Sequence, residues 1–191
     1  MVDNILIDKL ICGNKRFVNG KSDLSQPIIH TKIIAKKQNP QIGVICCVDS
    51  RVVPEIIFDQ PLGTFLCSRV PGNVTTSDTL ATVELAISEF EISLIVILAH
   101  TNCAAIAAAC SNMSRTDHLK IILQKIEPAK TLIENFPNNL EFINKVSRQN
   151  AKLSIKNLKD QSLTIRNYCL KNLIKIISGI YDVQTGVVDF F

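Results

Sequence analysis

Two short clusters carry the residue types of a reactive site: Cys47-Val48-Asp49-Ser50-Arg51 and His100-Thr101-Asn102-Cys103. Together they supply two thiols, an imidazole and a carboxylate, all of them zinc-ligand types. His100 and Cys103 stand at i, i+3, so both can face one ion across a strand-to-helix turn. Cys47 completes a three-ligand set. Its neighbour Cys46 is expected on the opposite face of the same strand, and is excluded as a ligand. Asp49 and Arg51 add a charged pair, which suits a reactive metal site better than a structural one.

Blander roles compete with that assignment. A buried cysteine usually packs as a small hydrophobe, and a lone histidine is usually a satisfied polar group. Either cluster alone favours those roles; the two together favour a metal. A closed structural zinc with Asp49 as fourth ligand stays open, although paired Cys-x-x-Cys knuckles are absent. A nucleophilic cysteine stays open too, although two thiols with one histidine point to metal.

The elements that must position these residues follow from the apolar pattern. Ile42–Val48 and Ser93–Ala99 are apolar runs rich in β-branched residues, expected as strands buried on both faces of a parallel sheet. Ligands of open α/β sheets bind beyond the carboxyl ends of strands, so both clusters are expected at one edge. Gly63–Val70 and Leu173–Asp182 are further strand candidates, and Asp182–Gly186 is a hairpin turn leading into Val187–Phe191.

Helices are expected at Asn4–Asn19, Pro54 to Phe58, and to Phe90 from a cap at Ser77 or Asp78. Others are expected from Cys103 to Cys110 and over Asn139–Asp160, with breaks near Pro128 and Pro137. Lys21–Pro40 reads as a loop or arm with a short helix at Ile29–Lys37. The fold class is therefore α/β: a mostly parallel central sheet flanked by helices, with an N-terminal helical arm and a C-terminal hairpin strand. One domain is expected over residues 1–191, with an arm at 1–40 and an α/β core at 41–191.

Composition narrows the function classes. The 191 residues are 47% hydrophobic, which fits a folded domain with a real core. A net charge of +4 does not by itself imply nucleic acid. Lys145, Arg148, Lys152, Lys156 and Lys159 fall at near-helical spacing and read as a solvated helix face. Neither G-x-G-x-x-G nor a phosphate-loop motif follows a strand, which argues against a dinucleotide site. The seven cysteines sit mostly among aliphatic residues, and no secretory signal or membrane-length run is visible. Reduced thiols in the cytoplasm are the expectation.

Cys47-x-Asp49-Ser50-Arg51 with His100-x-x-Cys103 resembles the β-class carbonic anhydrases. The likeness extends to Gly13-Asn-Lys-Arg-Phe17, Pro54-Glu-Ile-Ile-Phe-Asp59, Arg69-Val-Pro-Gly-Asn73, His118-Leu-x-x-Ile-Leu and Tyr181-Asp-x-x-Thr-Gly186. It implies a zinc enzyme that reversibly hydrates carbon dioxide to bicarbonate and a proton, by attack of zinc-bound hydroxide. Cys47, His100 and Cys103 would hold the zinc. Asp49 would accept a hydrogen bond from the hydroxide, and Arg51 would keep Asp49 ionised and oriented. The resemblance also implies a closed resting state with Asp49 on the metal. Rival activities are carbonyl sulfide or carbon disulfide hydrolysis, or a catalytically silent zinc-binding role. A homodimer or homotetramer is implied, with no nucleic-acid or membrane partner. Val52, Phe65 and Val70 are candidates to line an apolar pocket. The family carries glycine after the second cysteine ligand, where this chain has Ala104. If that position takes a positive φ or a close backbone approach, a Cβ there is expected to be strained, and it could also narrow the site.

Overall fold

A computed structural model describes residues 2–22, 24, 31, 32, 34–111, 116–133, 137 and 139–191. It opens with helix α1 (Val2–Val18), followed by strand β1 (Ile42–Cys46) and the short helix α2 (Pro54–Ile57), with Pro54 in its first turn. Strand β2 (Phe65–Arg69) leads through a 3₁₀ turn (Pro71–Asn73) to helix α3 (Ser77–Glu89). Strand β3 (Leu94–His100) runs directly into helix α4 (Ala104–Cys110). Helices α5 (Asp117–Gln124), α6 (Glu127–Thr131), α7 (Leu140–Gln161) and α8 (Leu163–Leu170) follow. The chain ends in strands β4 (Lys175–Tyr181) and β5 (Val188–Phe190).

The strand order is β2-β1-β3-β4-β5, parallel except for the antiparallel β4–β5 pair. From β1 the chain first goes to β2 on one side, then places β3 on the other. The order therefore reverses beside β1, and the carboxyl ends of β1 and β3 flank the switch point where such sheets bind ligands.

Every residue of β1 and β3 is buried, so both faces are covered. Alternation along the strands sorts the core into two clusters. Ile45, Ile95, Ile97 and Ala99 pack with Val83, Ala151, Leu158 and Ile165 from α3, α7 and α8. Ile42, Val44, Cys46, Val96 and Leu98 pack with Leu10 of α1 and with Ile57, Phe58 and Phe65. A third cluster, which includes Cys47, Cys103, Ile106, Ile126, Phe142 and Val146, lies beyond the strands' carboxyl ends.

The N-terminal helix packs on its own core. A Cβ at Gly13 would come within 1.8 Å of the Phe58 carbonyl oxygen, so only glycine allows α1 this close to α2. Asn14 then donates to the carbonyls of Ile57 and Gly186 and accepts from the Val188 N–H. One side chain thereby joins the arm, α2 and the C-terminal hairpin. In that hairpin, Asp182 Oδ1 accepts from the N–H groups of Gln184 and Thr185.

Several local expectations are corrected. The cap of α3 is Thr76, whose hydroxyl accepts from the Thr79 N–H, and neither Ser77 nor Asp78. Pro128 sits in the first turn of α6, where its missing N–H costs nothing, and so opens a helix as well as ending one. Helix α8 was not expected as a separate element. Ser162 ends α7 and caps α8, accepting from the Ile165 N–H, so the chain turns without glycine or proline. The helix expected at 29–37 lies partly outside the described residues. Among the described residues, no helix is long and apolar enough to cross a membrane.

Candidate metal centre

The last residue of β1 is followed at once by Cys47, and the last residue of β3 is His100. The parallel β1–β3 pairing sets Cys46 opposite Leu98, so the two strand ends deliver Cys47 and His100 to the same edge. Cys103 stands immediately before α4 in extended conformation. The ligand atoms of Cys47, His100 and Cys103 all lie within 4.8 Å of one another, and all three residues are buried. The two sulfurs are 3.9 Å apart.

The imidazole is oriented for ligation. His100 Nδ1 lies 2.9 Å from the Thr101 carbonyl oxygen, which can only accept, so Nδ1 carries a proton and Nε2 is the nitrogen left to take a metal. Nε2 is buried and has no hydrogen-bond partner. A buried, unpartnered ring nitrogen facing two thiols is costly on its own and favourable with a cation between them. The donor set of two sulfurs and one nitrogen fits zinc.

The thiols are unequal. The Cys103 thiol beside Cys47 holds the Cys47 thiol well below its usual range against burial, and the His100 ring and the Asp49 and Gly72 N–H groups push the same way. The Gly72 N–H donates to Cys47 Sγ at 3.3 Å. Gly72 does so from φ 65°, and a Cβ there would meet Ile126 at 2.9 Å. Cys103 is pushed well up by its bond to Cys47 and by burial. The pair thus gives up one proton readily and the second reluctantly.

Asp49 and Arg51 form a two-pronged pair: Arg51 Nε donates to Oδ1 at 2.9 Å and Nη2 to Oδ2 at 2.8 Å. That bond holds the Asp49 carboxyl well below the usual carboxylate range. Asp49 Oδ2 lies 3.9 Å from His100 Nε2, beside the three-ligand group and turned to Arg51. Arg51 also donates to the Asn102 carbonyl, which ties the two clusters together.

Other residues sort around this centre. Cys46 is fully buried among apolar side chains, in a different cluster from Cys47. Val52 and Phe65 also belong to the cluster that packs on α1, whereas Val70 packs against the cluster containing Cys47 and Cys103. Ala104 is exposed at the first position of α4. The positive φ of this segment falls on Asn102, at 52°, so the strain foreseen for Ala104 does not arise. Sequence reasoning missed Arg69 and Gly72. Arg69 donates to the carbonyls of Cys47 and Asp49 and so braces the first cluster from β2. A strand-end arginine two residues before a Pro-Gly turn was the available signal.

Comparisons with known proteins show the family. Residues 42–188 match the carbonic anhydrase family. Carbonic anhydrase 2 of Mycobacterium tuberculosis is 28% identical over 91% of this chain and 86% of its own length. Carbonic anhydrase of Helicobacter pylori is 30% identical over 78% of this chain and 75% of its own. A tetrameric β-carbonic anhydrase of Sordaria macrospora shares the fold with a TM-score of 0.76 and 20% identity, covering 97% of this chain and 96% of the other.

Proposed function

From the premise that this chain belongs to the β-class carbonic anhydrases, we propose that it catalyses the reversible hydration of carbon dioxide to bicarbonate and a proton. The observation that carries this reading is the unpartnered His100 Nε2, buried against the thiols of Cys47 and Cys103. Those three residues would hold zinc and leave a fourth position free. A zinc ion there would supply a Lewis acid that makes a water nucleophilic near neutral pH.

The chain's own residues do the rest. Asp49, whose Oδ2 lies 3.9 Å from His100 Nε2, would accept a hydrogen bond from the attacking water and fix where its lone pair points. Arg51 keeps Asp49 ionised. A carboxylate held this low does not take up the released proton at neutral pH, so Asp49 orients the nucleophile and the proton leaves by another route. Arg69 holds the backbone that carries both Cys47 and Asp49. Val70 contributes apolar wall beside the thiols, consistent with an apolar substrate.

The chain works as one domain over residues 1–191, in a reducing cytoplasm. Cys12, Cys46, Cys47, Cys67, Cys103 and Cys169 are outside any disulfide, which suits that compartment. It assembles as a homodimer or homotetramer. The Sordaria relative is tetrameric, and exposed Ile5, Ile56 and Leu62 offer apolar surface here. Stopped-flow hydration of carbon dioxide by protein of measured zinc content tests the activity. Parallel assays with carbonyl sulfide and carbon disulfide separate the substrates. Zinc-loaded protein that hydrates no carbon dioxide would sink the proposal.

A further inference from the structure

Helix α7 carries a line of small polar side chains on its inner side, where an otherwise apolar face is buried. Asn144, Ser147, Asn150 and Ser154 recur every three or four residues and so share one side of the helix. Ser147, Asn150 and Ser154 are 1–2% exposed. Each of the four bonds to backbone outside α7, at the end of β3, in the turn after it, or in the 3₁₀ turn that carries Gly72. The Asn102 N–H donates to Asn144 Oδ1 at 2.8 Å. Ser147 Oγ donates to the His100 carbonyl at 2.8 Å. Asn150 Nδ2 donates to the Gly72 carbonyl at 2.7 Å. Ser154 Oγ donates to the Asn73 carbonyl at 3.3 Å and to its own helix at Asn150.

We propose that Ser147 and Asn150 are positioning residues of the metal centre, through which one helix sets both the strand end that supplies His100 and the turn whose Gly72 N–H donates to Cys47 Sγ. The inference rests on the assignment of the centre as a metal site. Two lines of reasoning support it. First, burying three polar side chains on a core helix costs stability unless each is satisfied, and apolar residues at those positions would pack the same face. Their bonds nevertheless go to two separate segments. Second, these segments are otherwise held differently. Gly72 offers its N–H to Cys47 Sγ from a left-handed backbone, and its carbonyl is pinned by Asn150. His100 has its ring set by the Thr101 carbonyl and its own carbonyl set by Ser147. Asn150 therefore acts on the thiolate through Gly72, and Ser147 acts on the imidazole through the His100 backbone.

The test uses the full chain and three readouts: zinc affinity by chelator competition, the electronic spectrum of the cobalt(II)-substituted protein, and melting of the metal-free protein. Ser147→Ala and Asn150→Leu are compared with Leu158→Ala, which weakens the same helix one turn beyond Ser154 without touching either segment. Loss of either clamp should weaken zinc binding about 10- to 100-fold, the usual effect of removing a group that orients a ligand. Leu158→Ala should lower the melting temperature and keep wild-type zinc affinity and cobalt spectrum. Asn150→Leu should shift the thiolate-to-cobalt charge-transfer bands, whereas Ser147→Ala should act mainly on the ligand-field bands. Ser147→Thr retains the hydroxyl donor and should recover affinity, so the position 147 pair decides the matter even if Asn150→Leu does not fold. Zinc affinity that simply follows melting temperature across all variants would overturn the inference, as would wild-type affinity and spectra in both clamp variants. A wild-type protein that shows no thiolate-to-cobalt bands would instead overturn the metal assignment itself.

Discussion

Cys46 and Cys47 are adjacent in sequence and opposite in chemistry. Cys46 closes β1 on the face that packs against α1, is 0% exposed, and sits in an apolar cluster. Burial pushes its thiol up to about 12, with Arg69 opposing. Cys47 turns to the other side at the strand's end, where Cys103, the His100 ring and the Asp49 and Gly72 N–H groups lower its thiol. One peptide unit separates an inert hydrophobe from a thiolate. The pleat alone decides which face each sulfur meets, and the surroundings then decide what it can do.

The largest expected effect breaks the reactive side of this comparison. Cys47→Ala and Cys103→Ala each remove a proposed ligand. Zinc content, measured on dialysed protein, should fall further than the roughly 10- to 100-fold affinity loss that follows removal of a supporting bond. Melting temperature should fall as well, since binding energy is also folding energy. Full zinc occupancy in Cys103→Ala would reject the ligand set.

Next in size is the charged pair beside the thiols. Asp49→Ala should lower kcat/KM by about 10²–10³-fold, the cost of losing a preorganised polar partner of the reacting group. Arg51 acts through Asp49, so adding Arg51→Ala to Asp49→Ala should cost little more. Losses that simply add in the double variant would refute a coupled pair. Loss of zinc in Asp49→Ala would instead point to the carboxylate as an essential ligand.

The contrast between the two cysteines was legible in the sequence because a strand's period is two and both ends of the argument lie on apolar runs. Ile42–Val48 and Ser93–Ala99 are long enough and β-branched enough to name strands buried on both faces, although the strands run over Ile42–Cys46 and Leu94–His100. What the sequence does not carry is strand order. Nothing in β2 says that it lies on the far side of β1 from β3, yet that reversal creates the crevice between Cys47 and His100. Caps slipped by a residue, as at Thr76, because Thr76, Ser77 and Asp78 are all competent acceptors and only the backbone turn chooses between them. Ala104 looked strained because φ is invisible in sequence; the left-handed residue is Asn102. The polar line on α7 was masked by Lys145, Arg148, Lys152, Lys156 and Lys159, which advertise the solvent face. Its own signal was available. Ser147, Asn150 and Ser154 interleave with Val146, Ala151 and Leu158 on the side that must be buried.

A smaller effect follows from the unequal thiols. The pair shares its protons unequally, with Cys47 lowered and Cys103 raised, so near neutral pH it holds one proton, on Cys103. Metal binding needs both as thiolates, so zinc uptake near neutral pH should release about one proton, from Cys103. In more acid solution Cys47 also becomes protonated, and each zinc must then displace a second proton. Affinity should therefore fall with acid, and more steeply once Cys47 is protonated. Calorimetric titration in buffers of different ionisation enthalpy measures the count. Two protons released at pH 7 would show that Cys47 is not held low in the metal-free protein.

The smallest effect tests the inert side. Cys46→Ala removes one sulfur from a packed cluster and should cost about 1–2 kcal/mol, read as a melting temperature a few degrees lower. Zinc affinity should stay within about twofold of wild type, as expected for sites that do not share an interaction. Arg69 is where this expectation is most exposed. It interacts with Cys46 and also donates to the carbonyls of Cys47 and Asp49, at 3.3 and 2.9 Å. Two backbone acceptors on one loop suffice to hold the guanidinium once the sulfur is gone, so the brace should survive. An unchanged proton count and zinc affinity in Cys46→Ala would make Cys46 a packing residue and nothing more. Zinc loss there, with Arg69→Ala losing zinc to the same degree, would mean that the buried thiol sets the arginine, and that the division between the two faces of β1 is incomplete.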